Sequence, residues 1–285
     1  MSKIGSKSYR SVAGNIVVFL FLLLIALFMV LPMVFIFSNA FKPLSELFIF
    51  PPKLFPQNPT FDNFINLSSL LGDSWLPFSR YVLNSVFITV IGTAGNIIIS
   101  SMAAYILSKK NFKGRNLLFQ LVVLSLLFSS VVTAIPNYII MTKLHLINTL
   151  WAIILPLLPS SIGLFLMKQF MDQMVPDTLL EAAALDGAGE NRIFMQIVMP
   201  MVKPAWLTLL IFSFQGIWGT TGGVFIFDEN LKTLPTALSN IVSGGIARTG
   251  VSAAVSLIMI LPPITVFLFS QSNVMQTMSS SGIKD

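Results

Sequence analysis

IVVFLFLLLIALFMVLPMVFIF, residues 16–37, runs for 22 residues without a charged or hydrogen-bonding side chain. A helix needs about 20 such residues to cross the hydrocarbon of a bilayer, so this stretch is long enough to span. Lys3, Lys7 and Arg10 precede it and Ser38-Asn39-Ala40 follows it, an arrangement that looks like a secretory signal with its cleavage site. Signal cores are shorter, roughly 7–15 residues. The stretch is therefore expected to stay on the chain as an anchor.

Working outward, the spacing of ionised residues shows how often this pattern recurs, because a lone charge at mid-bilayer costs roughly 2.5–3.5 kcal/mol on insertion scales. Six stretches lack Asp, Glu, Lys and Arg for 24 residues or more: Arg10 to Lys42, Arg80 to Lys109, Arg115 to Lys143, Lys143 to Lys168, Lys203 to Asp228 and Arg248 to Lys284. The next longest, Lys232 to Arg248, encloses 15 residues and is rich in Gly and Ser. The expectation is an all-α polytopic membrane protein with six transmembrane helices. Residues 1–13 and 273–285 are its tails, and 14–272 its spanning domain.

The side that holds both tails, the loop from Lys109 to Arg115 and the segment 168–203 carries 11 of the 17 Lys and Arg residues. By the positive-inside rule this side is cytoplasmic, with both termini inside.

Composition agrees and removes several function classes. Hydrophobic residues make up 55% of the 285 and charged residues 10%, against roughly 25% charged in a soluble domain. The net charge of +6 lies between apolar runs rather than along one stripe, so nucleic acid is not an expected partner. With no cysteine and the single His145, neither thiolate chemistry nor a histidine metal cluster is available. Pro32, Pro136, Pro156, Pro159, Pro262 and Pro263 fall within the windows and can kink their helices. Gly92, Gly95, Ala103 and Ala104 would let the second span approach a neighbour closely.

Three segments lie outside the windows. Residues 42–80, external, contain Pro51, Pro52, Pro56 and Pro59, which predict turns and extended chain. Residues 220–249, also external, open with Thr220-Thr221-Gly222-Gly223, where glycine permits flexibility or close backbone approach. Residues 168–203, internal, are too charged to cross. Pro176 suits the first turn of a helix, Asp177 and Glu181 complement its positive end, and Leu179, Leu180, Ala183 and Ala184 give it an apolar face. Gly187-Ala188-Gly189 should break it, and Glu190 to Val198 predicts a second short helix that ends at Pro200. Between Asp172 and Arg192 there are five acids and one base. An anionic lipid surface repels such a helix, so a groove on another protein is the expected seat.

Glu181-Ala182-Ala183, Asp186-Gly187-Ala188, Ile197 and Pro200 resemble the EAA signature of membrane subunits of bacterial ABC importers, with Met199 where the signature has Leu. Pro51-Pro52 through Asn63-Phe64, Asn84-Ser85, Ile147 through Pro156, Gln271 through Met275 and Ser281 through Lys284 look like the maltose-type carbohydrate permeases, in the polysaccharide and multiple-sugar branch from Gram-positive bacteria. The resemblance implies a type I ABC importer permease fold in a bacterial cytoplasmic membrane. Residues 176–189 would then be a coupling helix in a groove of an ATP-binding subunit, with Glu181 facing a basic residue there and Gly187 making the turn. The loop at 220–249 would reach an extracellular solute-binding protein, and the tail from Asn273 would touch the ATPase. Implied partners are a second homologous permease, ATP-binding cassette subunits, the binding protein, the lipid bilayer and a carbohydrate.

No G-x-x-x-x-G-K-[ST] occurs, since Gly5-Ser6-Lys7-Ser8 lacks the Gly-Lys step. ATP and Mg would therefore act on partner subunits, this chain would carry no cofactor, and it is expected to be a transporter subunit rather than an enzyme. An ion-coupled secondary transporter is the alternative. Such carriers usually place ionisable groups inside spans, and here all lie outside. An ABC permease for a non-sugar polar solute is a further alternative. Candidates for a path lined by neutral hydrogen-bonding groups are Asn84, Asn96, Ser129, Thr133, Asn137, Ser213, Gln215 and Trp218, with Gln120, Ser125, Tyr138 and Phe214 near them. Each could equally serve helix packing.

Overall fold

A computed structural model describes residues 12–72, 77–245 and 248–281, and the side chains of 14–70, 77–129, 131–245 and 248–271. Lys3, Lys7 and Arg10, the side chains of the tail from Asn273, and Gly282 to Lys284 lie outside the described residues. Every regular element among the described residues is helical. The chain divides into two compact units, residues 1–70 with 241–257 and residues 71–240 with 258–285.

In the first unit α1 (Val12–Ala40) exposes nearly every side chain from Asn15 to Phe37, as a helix in lipid does. The segment after it is more ordered than turns and extended chain. It contains α2 (Leu44–Leu47) and α3 (Asp62–Gly72). Phe41 packs against Phe37, Phe61 and Phe64 at 5.1, 5.4 and 5.3 Å between ring centroids, edge-on to Phe61 and tilted to the other two. Lys42 is only 2% exposed. Burying an ammonium requires compensating dipoles. Its Nζ donates to Asn39 Oδ1 at 2.8 Å and to the Lys53 carbonyl, and lies 5.4 Å from the centre of the Phe35 ring. The Asn63 amide joins the two ends of this cap, donating to the carbonyls of Ala40 (3.0 Å) and Lys42 (2.7 Å).

The second unit is built on α4 (Phe78–Lys109), 32 residues without an internal proline. At about 1.5 Å per residue it is about 48 Å long, more than the roughly 30 Å of hydrocarbon. It packs against α7 (Leu150–Leu157), α8 (Ser161–Met174) and α12 (Lys203–Trp218). Small residues permit this. A Cβ on Gly95 would come within 2.5 Å of Leu158 Cδ2, and one on Gly92 within 3.1 Å of Ile217 Cδ1. Two apolar clusters sit along α4. Ile88, Ile153, Ile154, Ile217 and Ile226 form one, and Ala104, Tyr105, Met167, Met171, Val198 and Leu209 belong to the other.

α1, α4 and α14 (Thr249–Ser281) are each long and apolar enough to cross a membrane. Two bent pairs, α7 with α8 at 40° and the segment 190–201 with α12 at 80°, pass the same length and composition test only if each pair is counted as one span, for at most five among the described residues. The window from Arg115 to Lys143 is divided into α5 (Arg115–Ser125) and α6 (Ser130–Lys143). Ser129 ends the break between them by accepting the Val131 amide on its hydroxyl at 3.3 Å, as an N-cap does. The helices therefore do not reproduce the six windows one for one.

The segment expected at 168–203 begins later, because α8 stays helical to Met174. α9 (Asp177–Leu185) starts one residue after Pro176, which is its N-cap rather than part of its first turn. The second arm does not stop at Pro200. It runs as α10 (Glu190–Ile193), a π turn over Phe194–Val198 and α11 (Met199–Met201). Pro200 has no amide proton for the Gln196 carbonyl and its ring crowds that oxygen. The wider π turn just before it accommodates both. The chain turns at Val202 instead.

Candidate functional site

α9 is closed by a Schellman motif. The Ala188 amide donates to the Ala183 carbonyl and the Gly187 amide to the Ala184 carbonyl, both at 3.0 Å, with Gly187 at φ +80°. Only a residue without Cβ takes that backbone at little cost. Leu180, Ala183 and Ala188 pack inward on the cluster that contains Tyr105 and Val198. The remaining edge, Glu181, Ala182, Leu185 and Asp186, is exposed, with Leu185 at 89%. Among the described residues neither Glu181 nor Asp186 forms an ion pair.

The other three acids of this segment are held within the chain. Lys109, its side chain 5% exposed, donates to Asp177 Oδ1 at 2.9 Å and to the Val175 carbonyl at 2.6 Å. Lys110 pairs with Glu190, whose other oxygen accepts the Tyr105 hydroxyl at 2.9 Å. Ser108 donates to Asp172 at 2.5 Å, and Lys168 pairs with the same carboxylate. Hydrogen bonds from Lys110 and then Tyr105 hold the Glu190 carboxyl below its ordinary range, against a smaller opposing effect of burial. The sequence reading used the cations at 109–115 only to orient the chain. That Lys109 and Lys110 fasten the N-terminal ends of both arms was not legible, since the partners lie 68 and 80 residues away.

At the other end of α4 the loop opened by Thr220 and Thr221 is fastened as well. Gly222 (φ +75°) and Gly223 (φ +50°) take left-handed backbone, and a Cβ on buried Gly222 would meet Ile153 Cδ1 at 2.9 Å. Thr233 and Thr236 donate to the carbonyls of Thr220 and Thr221 at 2.9 and 2.5 Å. Buried Asn84 donates to the carbonyls of Asn230 (2.8 Å) and Lys232 (3.0 Å), and Ser85 accepts the Leu234 amide at 2.7 Å. Tyr81 donates to Glu229 at 2.9 Å. Lys232 beside Glu229 holds that carboxyl low, with burial opposing and Tyr81 assisting. Asn148, at φ +63°, accepts the amides of Phe227 and Asp228 at 3.0 and 2.9 Å.

The residues proposed for a polar path divide accordingly. Asn84 serves the loop. Asn96 donates to the carbonyls of Leu157 (3.0 Å) and Leu158 (3.1 Å) at the α7–α8 break, and accepts Ser213 at 2.8 Å. Trp218 is buried and donates to the Met259 carbonyl at 3.0 Å, while Ser129 caps α6. Thr133 and Asn137 lie one helical turn apart on α6, and Gln215 is exposed on α12. Near them Ala134, Ile135, Tyr138, Val224 and Phe227 line an apolar hollow.

A family model for the binding-protein-dependent transport system inner membrane component matches residues 95–280. The chain belongs to that family. Its permease fold is that of a crystal structure of a bacterial ABC transporter involved in the import of the acidic polysaccharide alginate. A chain of that structure superposes with a TM-score of 0.75 at 21% identity, over 93% of this chain and 98% of that one. Among relatives, this permease is 31% identical to Protein LplC of Bacillus subtilis over 90% of its own length and 89% of the relative's. It is 30% identical to the arabinooligosaccharides transport system permease protein AraQ of Halalkalibacterium halodurans, over 91% and 93%. It is accordingly a permease subunit of the ABC class, not an enzyme.

Proposed function

We propose that this permease pairs with a second, homologous permease and with ATP-binding subunits in a bacterial plasma membrane of the Gram-positive kind. It imports an oligosaccharide delivered by an extracellular binding protein. Both termini and the segment 175–202 face the cytoplasm, and the loop from Thr220 faces the binding protein. The observation that carries this reading is the edge of α9. Its inward side is fixed by packing and a Schellman turn, while Glu181, Ala182, Leu185 and Asp186 are exposed and, among the described residues, neither acid is ion-paired. A short helix with an acidic, small-residue edge suits a groove that offers a base, and seating it there lets closure of the ATP-binding subunits turn the spans. Hydrolysis of ATP with Mg belongs to those subunits.

The carbohydrate part rests on the names of the relatives and on the neutrality of the spans. Thr133, Asn137 and Gln215 line the path in this reading, with Tyr138 as an aromatic face. Asn84, Asn96, Ser129, Ser213 and Trp218 hold the walls in place.

The test is transport and ATP hydrolysis measured together on the assembled complex. Glu181→Lys and Gly187→Trp are expected to leave membrane insertion intact while hydrolysis no longer drives uptake. No Cβ contact lies within 4 Å of Gly187, so the tryptophan acts through the strained turn and the docking edge. Normal transport by both variants would remove the docking assignment.

A further inference from the structure

The two fastened loops meet the same element. Near its start α4 holds the loop 220–234 through Tyr81, Asn84 and Ser85, and at its end it holds both arms of the segment 175–202 through Tyr105, Lys109 and Lys110. From Tyr81 to Lys109 the helix rises through 28 residues, about 42 Å, so the two stations lie further apart than the roughly 30 Å of hydrocarbon. A third station lies midway, where Asn96 binds the carbonyls freed at the α7–α8 break. Of the three helices long enough to span alone, α1 contains Pro32 and α14 contains Pro262 and Pro263, whereas α4 contains none. Kinks arise at proline, at Gly/Ser pairs or at interrupted ladders; α4 includes Gly92, Gly95 and Ser100-Ser101 yet stays one unbroken helix from Phe78 to Lys109. α4 lacks proline and is pinned at both ends and in the middle.

We propose that α4 is a rigid strut that fixes the loop 220–234 and the segment 175–202 to each other, so that displacement of one is passed to the other. Tyr105, Lys109 and Lys110 are positioning residues at one end, and Tyr81, Asn84 and Ser85 at the other. Coupling between distant sites needs an element that both ends bias together, and here that element is a single helix. Its use in transport rests on the docking reading above, but its rigidity does not.

The absence of cysteine makes the test direct. Val224→Cys and Met195→Cys, both at exposed side chains and the second off the docking edge, place one spin label on the loop 220–234 and one on the segment 175–202. Distances are measured in the complete transporter in nanodiscs, nucleotide-free and trapped with ATP and vanadate. One narrow distance, the same in both states, is expected. Lys110→Glu should broaden it, and Lys110→Glu with Glu190→Lys should restore it. A shift of about one helical turn, about 5 Å, between the two states, or a distribution unmoved by Lys110→Glu, overturns the strut. Uptake per ATP should fall about five-fold or more in Lys110→Glu and recover in the charge swap. Asn84→Ala added to Lys110→Glu should lower it no further, since one broken link suffices. A narrow, invariant distance with normal coupling in Glu181→Lys and Gly187→Trp would instead retain the strut and discard the docking reading.

Discussion

The two ends of α4 hold their loops by different chemistry. Toward Phe78 the bonds run mostly from side chain to backbone, Asn84 to two carbonyls and Ser85 from an amide, and Asn148, between α6 and α7, holds the same loop by accepting two more amides. Toward Lys109 they run from charge to charge, onto Asp177 and Glu190. Backbone bonds fix the course of a loop whatever side chains it displays, whereas ion pairs fix where one helix sits against another and leave each helix its own shape. A loop that presents a surface needs the first device. A preformed helix that must be carried as a unit needs only the second.

Glycine sharpens this contrast most. Gly222 and Gly187 both have positive φ, but a Cβ at 222 would collide with Ile153 while one at 187 meets nothing within 4 Å. Gly222→Ala should therefore combine backbone strain of about 1 kcal/mol with overpacking of about 1–3 kcal/mol. Gly187→Ala should show the strain alone. Equilibrium unfolding in mixed micelles measures both, and Ile153→Ala should rescue the first variant and not the second. Equal losses, or rescue of both, would show that the two turns are constrained alike.

His145 marks a third turn of the same kind, at the C-terminal end of α6. It takes φ +56° after α6, where the Leu146 amide donates to the Met141 carbonyl at 3.0 Å and the His145 amide to the Thr142 carbonyl at 3.1 Å. That is a Schellman turn with histidine in the place glycine prefers. His145→Gly is expected to stabilise the chain by about 1 kcal/mol, raising the unfolding midpoint. A lower midpoint would mean that the imidazole has a partner worth more than the strain.

How much of this was readable beforehand follows from range. Charge spacing acts residue by residue through the cost of lipid burial, so the apolar stretches could be located from their ends inward; how the chain divides them could not, since the window from Arg115 to Lys143 holds two helices and the segment expected at 168–203 begins only after Met174. The break at Gly187 was equally local, because only three amides and their carbonyls decide it. Lys42 shows the limit. It was read as the end of a span, yet it is buried beneath its own loop by Asn39 and Lys53, and no periodicity announces a cation folded backward. The pairs Lys109–Asp177 and Lys110–Glu190 lie further out still. They join two segments that read separately as an orientation signal and an acidic helix, and only the packing of α4 on α8 brings them together. Of the five acids counted between Asp172 and Arg192, Asp172, Asp177 and Glu190 are ion-paired within the chain, and among the described residues Glu181 and Asp186 are not.

Acid separates the two ends of α4 last and least. The ordinary carboxyl value is 4.5 for both Glu190 and Glu229, and both are lowered in the fold, by Lys110 and Tyr105 in one case and chiefly by Lys232 in the other. A lowered folded value means that the contribution to stability is fully present above the ordinary value and is lost as pH falls through the lowered one. Label mobility at Leu185→Cys and at Val224→Cys should thus stay flat from about pH 8 to about pH 5 and rise only below. The rise should be larger at 185, where Glu190 is the acceptor for both Lys110 and Tyr105, than at 224, where Asn84, Ser85 and Asn148 do not titrate. Glu190→Gln should shrink the acid step at 185 and leave 224 unchanged. A step near neutrality at either label would assign the fastening to a group other than these carboxylates, and equal steps at both would erase the distinction between a loop held by its backbone and a helix held by its charges.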